Sequence, residues 1–114
     1  HALCTLDDIV REPSSTIVRD AAIQRFEYTF EAVWKLLKTY LLEQQGIDTG
    51  SPKACFREAL KVGLLTQEQV EQALVMTDDR NLTSHTYIEA IAVQVYSRIA
   101  SYAALMKVVV DRVI

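Results

Sequence analysis

From Pro13 to Gly46 the chain runs without an intervening glycine or proline, and through that run apolar residues recur at helical spacing. Ala22, Phe26, Phe30, Val33, Leu37 and Leu41 fall at steps of three and four, the signature of one helix face. Ile23, Trp34 and Leu36 widen the stripe, so the helix is covered on more than one side. A helix of this length spans about 45 Å at 1.5 Å per residue. A chain of 114 residues suits one domain and must be organised along such an element. Ser14, Ser15 and Thr16 offer N-caps at its start, and Gly46 is placed to end it in a left-handed cap.

The flanking segments follow the same logic. Ala2 to Arg11 reads as a short helix with Leu3, Leu6, Ile9 and Val10 on one side. Ser51-Pro52 opens another unit, an N-cap followed by proline at the first helical position, which runs through Phe56, Leu60 and Val62 to Gly63. Thr66-Gln67-Glu68-Gln69 is a capping-box pattern leading into Val70, Leu74 and Val75. Asp78-Asp79-Arg80-Asn81 interrupts the apolar pattern, so the polar segment is expected to stand between two apolar helices. A last long helix carries Ile88, Ile91, Ala92, Val95, Ile99, Tyr102, Met106, Val109 and Val113. No strand-like alternation of useful length occurs. The expected fold is all-α, a single up-and-down helical bundle over residues 1–114, with two long helices and shorter helices between them.

Composition narrows the functional classes. Gly and Pro total five, hydrophobic residues make up 50%, and the net charge is −3. The core is substantial, because a chain of this size buries roughly two-thirds of its unfolded surface. The acidic balance argues against a general binder of nucleic-acid backbone. No stretch reaches the length of a membrane span and no signal-peptide pattern is present, which points to a cytoplasmic protein. Cys4 and Cys55 follow no metal or redox spacing and read as ordinary reduced thiols. His1 stands where Met is usual and is given no chemical role. One interior histidine and no helical His pair imply no metal site. No glycine-rich phosphate loop is present either, so the chain is not expected to be a nucleotide-hydrolysing P-loop protein, and no cofactor is expected.

Asp78 to Tyr87 concentrates the chemistry. Arg80 and His85 lie five positions apart; on a short helical segment they project from neighbouring faces, near enough to grip one anion. Arg80 supplies a permanent bidentate charge and His85 a proton donor or acceptor near neutral pH. Asn81 and Thr83 add neutral hydrogen-bonding groups, and Tyr87 adds a phenol. Taken alone, this short spacing also reads as a structural Arg–Asp pair with a capping histidine. Arg25 and Glu27 are candidates for a polar lining facing the cluster. Glu31 and Lys35 form an i, i+4 surface pair. Trp34 reads as core or dimer packing, and Tyr96 and Tyr102 as packing residues with exposed hydroxyls.

Three blocks carry a family resemblance: Asp20-Ala-Ala-Ile-Gln-Arg-Phe-Glu-Tyr-Thr-Phe-Glu-Ala-Val-Trp-Lys-Leu-Leu-Lys, Ser51-Pro-Lys-Ala-Cys-Phe-Arg-Glu-Ala-Leu-Lys-Val-Gly-Leu-Leu, and Asp79-Arg-Asn-Leu-Thr-Ser-His-Thr-Tyr. In this order and spacing the chain resembles the nucleotidyltransferase substrate-binding protein family of the HEPN superfamily. The resemblance implies a small helical bundle, a homodimer, and a separately encoded minimal nucleotidyltransferase as partner, with which it would form a hetero-oligomer. It also implies a motif of Arg80, Asn81 and His85, extended by Tyr87 to the R-x4-H-x-Y pattern of toxin members. In those toxin–antitoxin pairs the partner adenylylates the motif tyrosine, here Tyr87. The first helix is shorter than is usual in the family, and Met76-Thr77 is a more polar approach to the motif.

Three functions follow from that resemblance. The chain is a nucleotide- or substrate-binding partner subunit modified on Tyr87. Alternatively it is a metal-independent ribonuclease acting on RNA, with Arg80 and His85 pooled across a dimer. In the third reading it is an adaptor with a vestigial motif. It lacks the paired carboxylates of a nucleotidyltransferase and is not expected to be one itself.

Overall fold

The computed structural model describes residues 2–10 and 15–114. The expected roles of His1, Arg11, Pro13 and Ser14 lie outside the described residues. Among the described residues five α-helices follow one another: α1 (Ala2–Val10), α2 (Thr16–Gln45), α3 (Pro52–Lys61), α4 (Gln67–Leu82) and α5 (Glu89–Val113), with a 3-10 turn at Thr83–His85 between the last two. The protein is an all-α helical bundle. Its longest dimension, 43 Å, is close to the length of α2.

Caps set the helix ends as the residue types dictate. The Ser15 hydroxyl accepts from Val18 N–H at the start of α2, and the Ser51 hydroxyl accepts from Ala54 N–H ahead of Pro52. Thr66 and Gln69 form the full capping box, satisfying two otherwise orphaned donors. Gly46 closes α2 at φ 67°, and Ile47 N–H bonds back to the Leu41 carbonyl. No neighbouring atom crowds Gly46, so its backbone conformation alone demands glycine.

The apolar stripes meet in a common core. All six stripe residues of α2, from Ala22 to Leu41, are buried, together with Ile23. Ala92, Val95, Ile99, Tyr102, Met106 and Val109 bury the facing side of α5. Arg19 pairs with Glu89 and the Phe26 ring stacks on Tyr102 with centroids 5.6 Å apart, so α2 and α5 run in the same direction. α1 runs against α2: Thr29 bonds to the Ala2 carbonyl and Arg25 to the Thr5 carbonyl. α4 runs against α5, with Gln72 bonded to the Ser101 carbonyl and Asp79 to Arg98. The up-and-down pattern is therefore carried by α1, α2, α4 and α5, and α3 packs on the return path through a Phe30–Phe56 contact. Ile88, counted in the stripe of α5, instead stands ahead of its first turn and is 42% exposed.

The expected break at Asp78–Asn81 is absent: α4 continues through these residues to Leu82. Thr77 is buried, but its hydroxyl donates to the Ala73 carbonyl. Asp79 is buried with partners on α5. Satisfied polar side chains leave the helical ladder intact. No described helix is long and apolar enough to cross a membrane.

Gly46→Ala should destabilise the fold by about 1–2 kcal/mol, the cost of a left-handed conformation for a residue with a Cβ. Urea unfolding followed by circular dichroism will read the loss.

Candidate functional site

The last turn of α4 is fixed by Asp79. This carboxylate is 2% exposed and accepts two bonds from Arg98 Nη1, at 3.2 and 3.0 Å, and one from the Tyr102 hydroxyl at 2.5 Å. A buried carboxylate without such donors would be strongly destabilising. The Tyr102 hydroxyl is therefore interior, not exposed as the sequence suggested. Burial first, and then the Asp79 contact, push its phenol well above the ordinary value of 10.0. The bonds to Asp79 likewise raise the Arg98 guanidinium above its usual range.

With Asp79 turned toward α5, its neighbour Arg80 is turned toward α2. Arg80 Nη2 lies 3.4 Å from Glu31 Oε1, and Nη1 donates to the Thr83 hydroxyl at 3.3 Å. Thr83, itself buried, donates back to the Arg80 carbonyl at 2.6 Å. Arg80 Nε is buried and has no hydrogen-bond partner among the described residues. Gln24, Glu27, Tyr28, Glu31 and Arg80 line an open pocket of about 300 Å³.

His85, at the end of the 3-10 turn, and Tyr87, just past it, form a second group. The Tyr87 hydroxyl is 3.5 Å from His85 Nδ1, and the rings meet edge-on with centroids 6.0 Å apart. Both side chains are exposed, Tyr87 to 80%. The His85 carbonyl accepts from Ile88 N–H, so the backbone of His85, not its ring, closes the turn. Asn81 is exposed, and its carbonyl accepts from Ser84.

The polar candidates thus take different partners. Glu27 and Arg80 share the pocket with α2, with Thr83 beneath Arg80. His85 and Tyr87 lie together, and among the described residues no hydrogen bond joins Arg80 to His85. Arg25 is not brought to either group: α1 packs on its side of α2 and the Thr5 carbonyl takes its guanidinium at 2.8 Å. Sequence spacing pairs Glu31 with Lys35 and does not reveal its contact with Arg80. That pair exists at 3.9 Å, but Glu31 also accepts from Trp34 Nε1 at 3.0 Å and meets Arg80. Gln24, Glu27, Tyr28 and Glu31 fall on one helical face, and that polar stripe was the available signal. Trp34 is half-buried against the core. Cys55 is buried, which raises its thiol pKa and disfavours the reactive thiolate. Among the described residues no group of three or more His, Cys, Asp or Glu side chains is gathered as a metal site requires.

A family model described as nucleotidyltransferase substrate binding protein like matches residues 1–113. The chain belongs to this family. It is 35% identical over 96 residues to a protein of Haemophilus influenzae named probable ribonuclease HepT, an alignment covering 76% of this chain. The chain spans 64% of that relative's length. Among solved structures, a Thermus thermophilus protein is 50% identical with a TM-score of 0.95, covering 98% of this chain and 95% of the other. A Haemophilus influenzae structure described as the fold of a substrate binding domain of a nucleotidyltransferase is 25% identical with a TM-score of 0.82, covering 98% of this chain and 93% of that one.

The Tyr102 phenol gives this site a pH signature. The unfolded phenol ionises near 10, while the folded one keeps its proton to higher pH. Its contribution is complete below pH 10 and declines above it, because the unfolded chain then loses protons that the folded chain retains. Tyr102→Phe should cost about 1–3 kcal/mol at pH 7 and reduce the fall in stability above pH 10. Urea titrations from pH 7 to 11 will measure both effects.

Proposed function

We propose that this chain is the nucleotide-handling partner of a separately encoded minimal nucleotidyltransferase, and that Tyr87 accepts the nucleotidyl group. One observation carries the reading: Tyr87 presents an 80% exposed phenol with a ring nitrogen of His85 at 3.5 Å. An acceptor must enter another protein's active site, and an exposed side chain on a short connection meets that need. With the Nδ1 position unprotonated, His85 is placed to take the phenol proton. The Tyr87 oxygen attacks the α-phosphorus of ATP, the bond to the bridging oxygen breaks, and pyrophosphate leaves. The product is a phosphodiester between Tyr87 and AMP. The partner supplies the metal, and Arg80 of this chain is the cation that holds a phosphate of the nucleotide.

A ribonuclease reading is favoured by a different observation. Arg80 is held against α2 while His85 faces solvent with Tyr87. A centre using both is then assembled between two copies, with Arg80 of one and His85 of the other. His85 removes the ribose 2′ proton, the 2′ oxygen attacks phosphorus, Arg80 neutralises the phosphorane, and the bond from phosphorus to the 5′ oxygen breaks, leaving a 2′,3′-cyclic phosphate and a 5′ hydroxyl that takes its proton from water. The exposed Ile88 and Val93 near the start of α5 supply apolar surface for that homodimer. The two readings join in a toxin–antitoxin pair, since a nucleotide on Tyr87 places negative charge where RNA phosphate must sit.

Incubation with the partner enzyme, ATP and Mg²⁺ should add one adenylyl group, mapped to Tyr87 by mass spectrometry. Tyr87→Phe should abolish the adduct and change stability by no more than about 0.5 kcal/mol, as at other exposed positions. An adduct at another residue, or none with the cognate partner, rejects the assignment. His85→Ala should abolish RNA cleavage by the unmodified protein, read on a labelled oligonucleotide. Sedimentation at micromolar concentration should show a dimer, and a strict monomer excludes the pooled centre.

A further inference from the structure

Glu31 and Arg80 are unequally dependent on each other. Arg80 Nη2 touches one Glu31 oxygen at 3.4 Å, and among the described residues its Nη1 has only the Thr83 hydroxyl, at 3.3 Å. Its Nε is buried and has no hydrogen-bond partner among the described residues. A guanidinium prefers two parallel, charge-assisted bonds at shorter distance, so Arg80 is incompletely satisfied where it stands. Glu31 has alternatives: its other oxygen accepts from the Trp34 indole at 3.0 Å and lies 3.9 Å from Lys35 Nζ. Losing Arg80 would leave Glu31 with a donor and a cation. The pocket itself does not suit an anion, because Glu27 and Glu31 both line it. A phosphoryl group is received only when the guanidinium leaves these carboxylates.

We propose that Glu31 parks Arg80 in the isolated chain, and that the phosphoryl group of a nucleoside triphosphate exchanges for Glu31 to release it. This rests on the reading that the chain receives a nucleotide at its Arg80 motif. Glu31 is a positioning residue acting through Arg80. It sets a threshold for binding, because the ligand must replace an internal carboxylate, and a partly exposed one-point pair of this kind holds the guanidinium only weakly. Trp34, the one tryptophan of the sequence, is bonded to the carboxylate that changes partner and reports the exchange.

The test uses ATP as the probe, with the full chain and no partner enzyme. By calorimetry Glu31→Gln should bind ATP about fivefold more tightly than the unaltered protein, the factor equivalent to about 1 kcal/mol. Gln retains an acceptor for Trp34 and a good helix former, and circular dichroism will verify the fold. Trp34 emission should shift as ATP saturates the unaltered protein, and Arg80→Gln should abolish both the shift and the gain from Glu31→Gln. Equal or weaker binding by Glu31→Gln overturns the proposal, as does ATP binding by neither protein. The Tyr87 adduct is scored separately. An adduct without tighter binding removes the role of Glu31 and leaves the acceptor assignment standing. Tighter binding without an adduct removes the acceptor assignment and supports the parked arginine.

Discussion

The buried carboxylate of Asp79 sets the terms for everything at the end of α4. A charge so deeply enclosed must find donors, and both donors come from α5: Arg98 and Tyr102. Because they lie one helical turn apart on one face, they hold the rotation of α4 about its own axis as well as its distance from α5. The next residue in the chain, Arg80, is thereby delivered to α2. The arginine of the motif is thus placed by its neighbour's anchor, and its own contacts with Glu31 and Thr83 refine a direction already imposed.

Much of the fold was legible because local signals agreed with one another. The stripe of α2, the serine caps at Ser15 and Ser51, the capping box at Thr66 and the left-handed Gly46 all point to the same boundaries, and such agreement across levels is what makes a sequence readable. The reading failed where long-range partners decide the outcome. Asp78 to Asn81 looked like an interruption because a buried aspartate is legible only once Arg98 and Tyr102 are known to face it. The same gap hid the interior hydroxyl of Tyr102. Arg25 was drawn toward the motif by its neighbours in sequence, whereas the fold gives it the Thr5 carbonyl on α1. Glu31 was assigned to Lys35, four residues along, because a pair within one helix is visible in sequence and a pair between helices is not.

The motif itself was legible as residue types and not as an arrangement. Arg80 belongs to a regular helix and is held by side chains from two elements. His85 ends a 3-10 turn, Tyr87 follows it, and the two meet through one long hydrogen bond and an edge-on ring contact. The positioned half is thus the permanent charge, and the exposed half is the proton-transferring and acceptor chemistry. That division suits a centre completed by a second macromolecule, which finds one part preorganised and the other accessible.

The parallel run of α2 and α5 has a consequence for how the protein folds. Two helices pointing the same way cannot be joined by a tight turn, so residues 46–88 must carry the chain back along the bundle. The motif lies at the far end of that return. Its geometry depends on α5 docking beside α2, a contact between distant parts of the chain that forms only after the cost of closing a long loop. Local helix formation along α4 can present the residues of the motif early, but only the completed bundle orients them. Partly folded chains would therefore carry the right side chains without the right constellation, and whatever activity resides there is acquired with the native state as a whole.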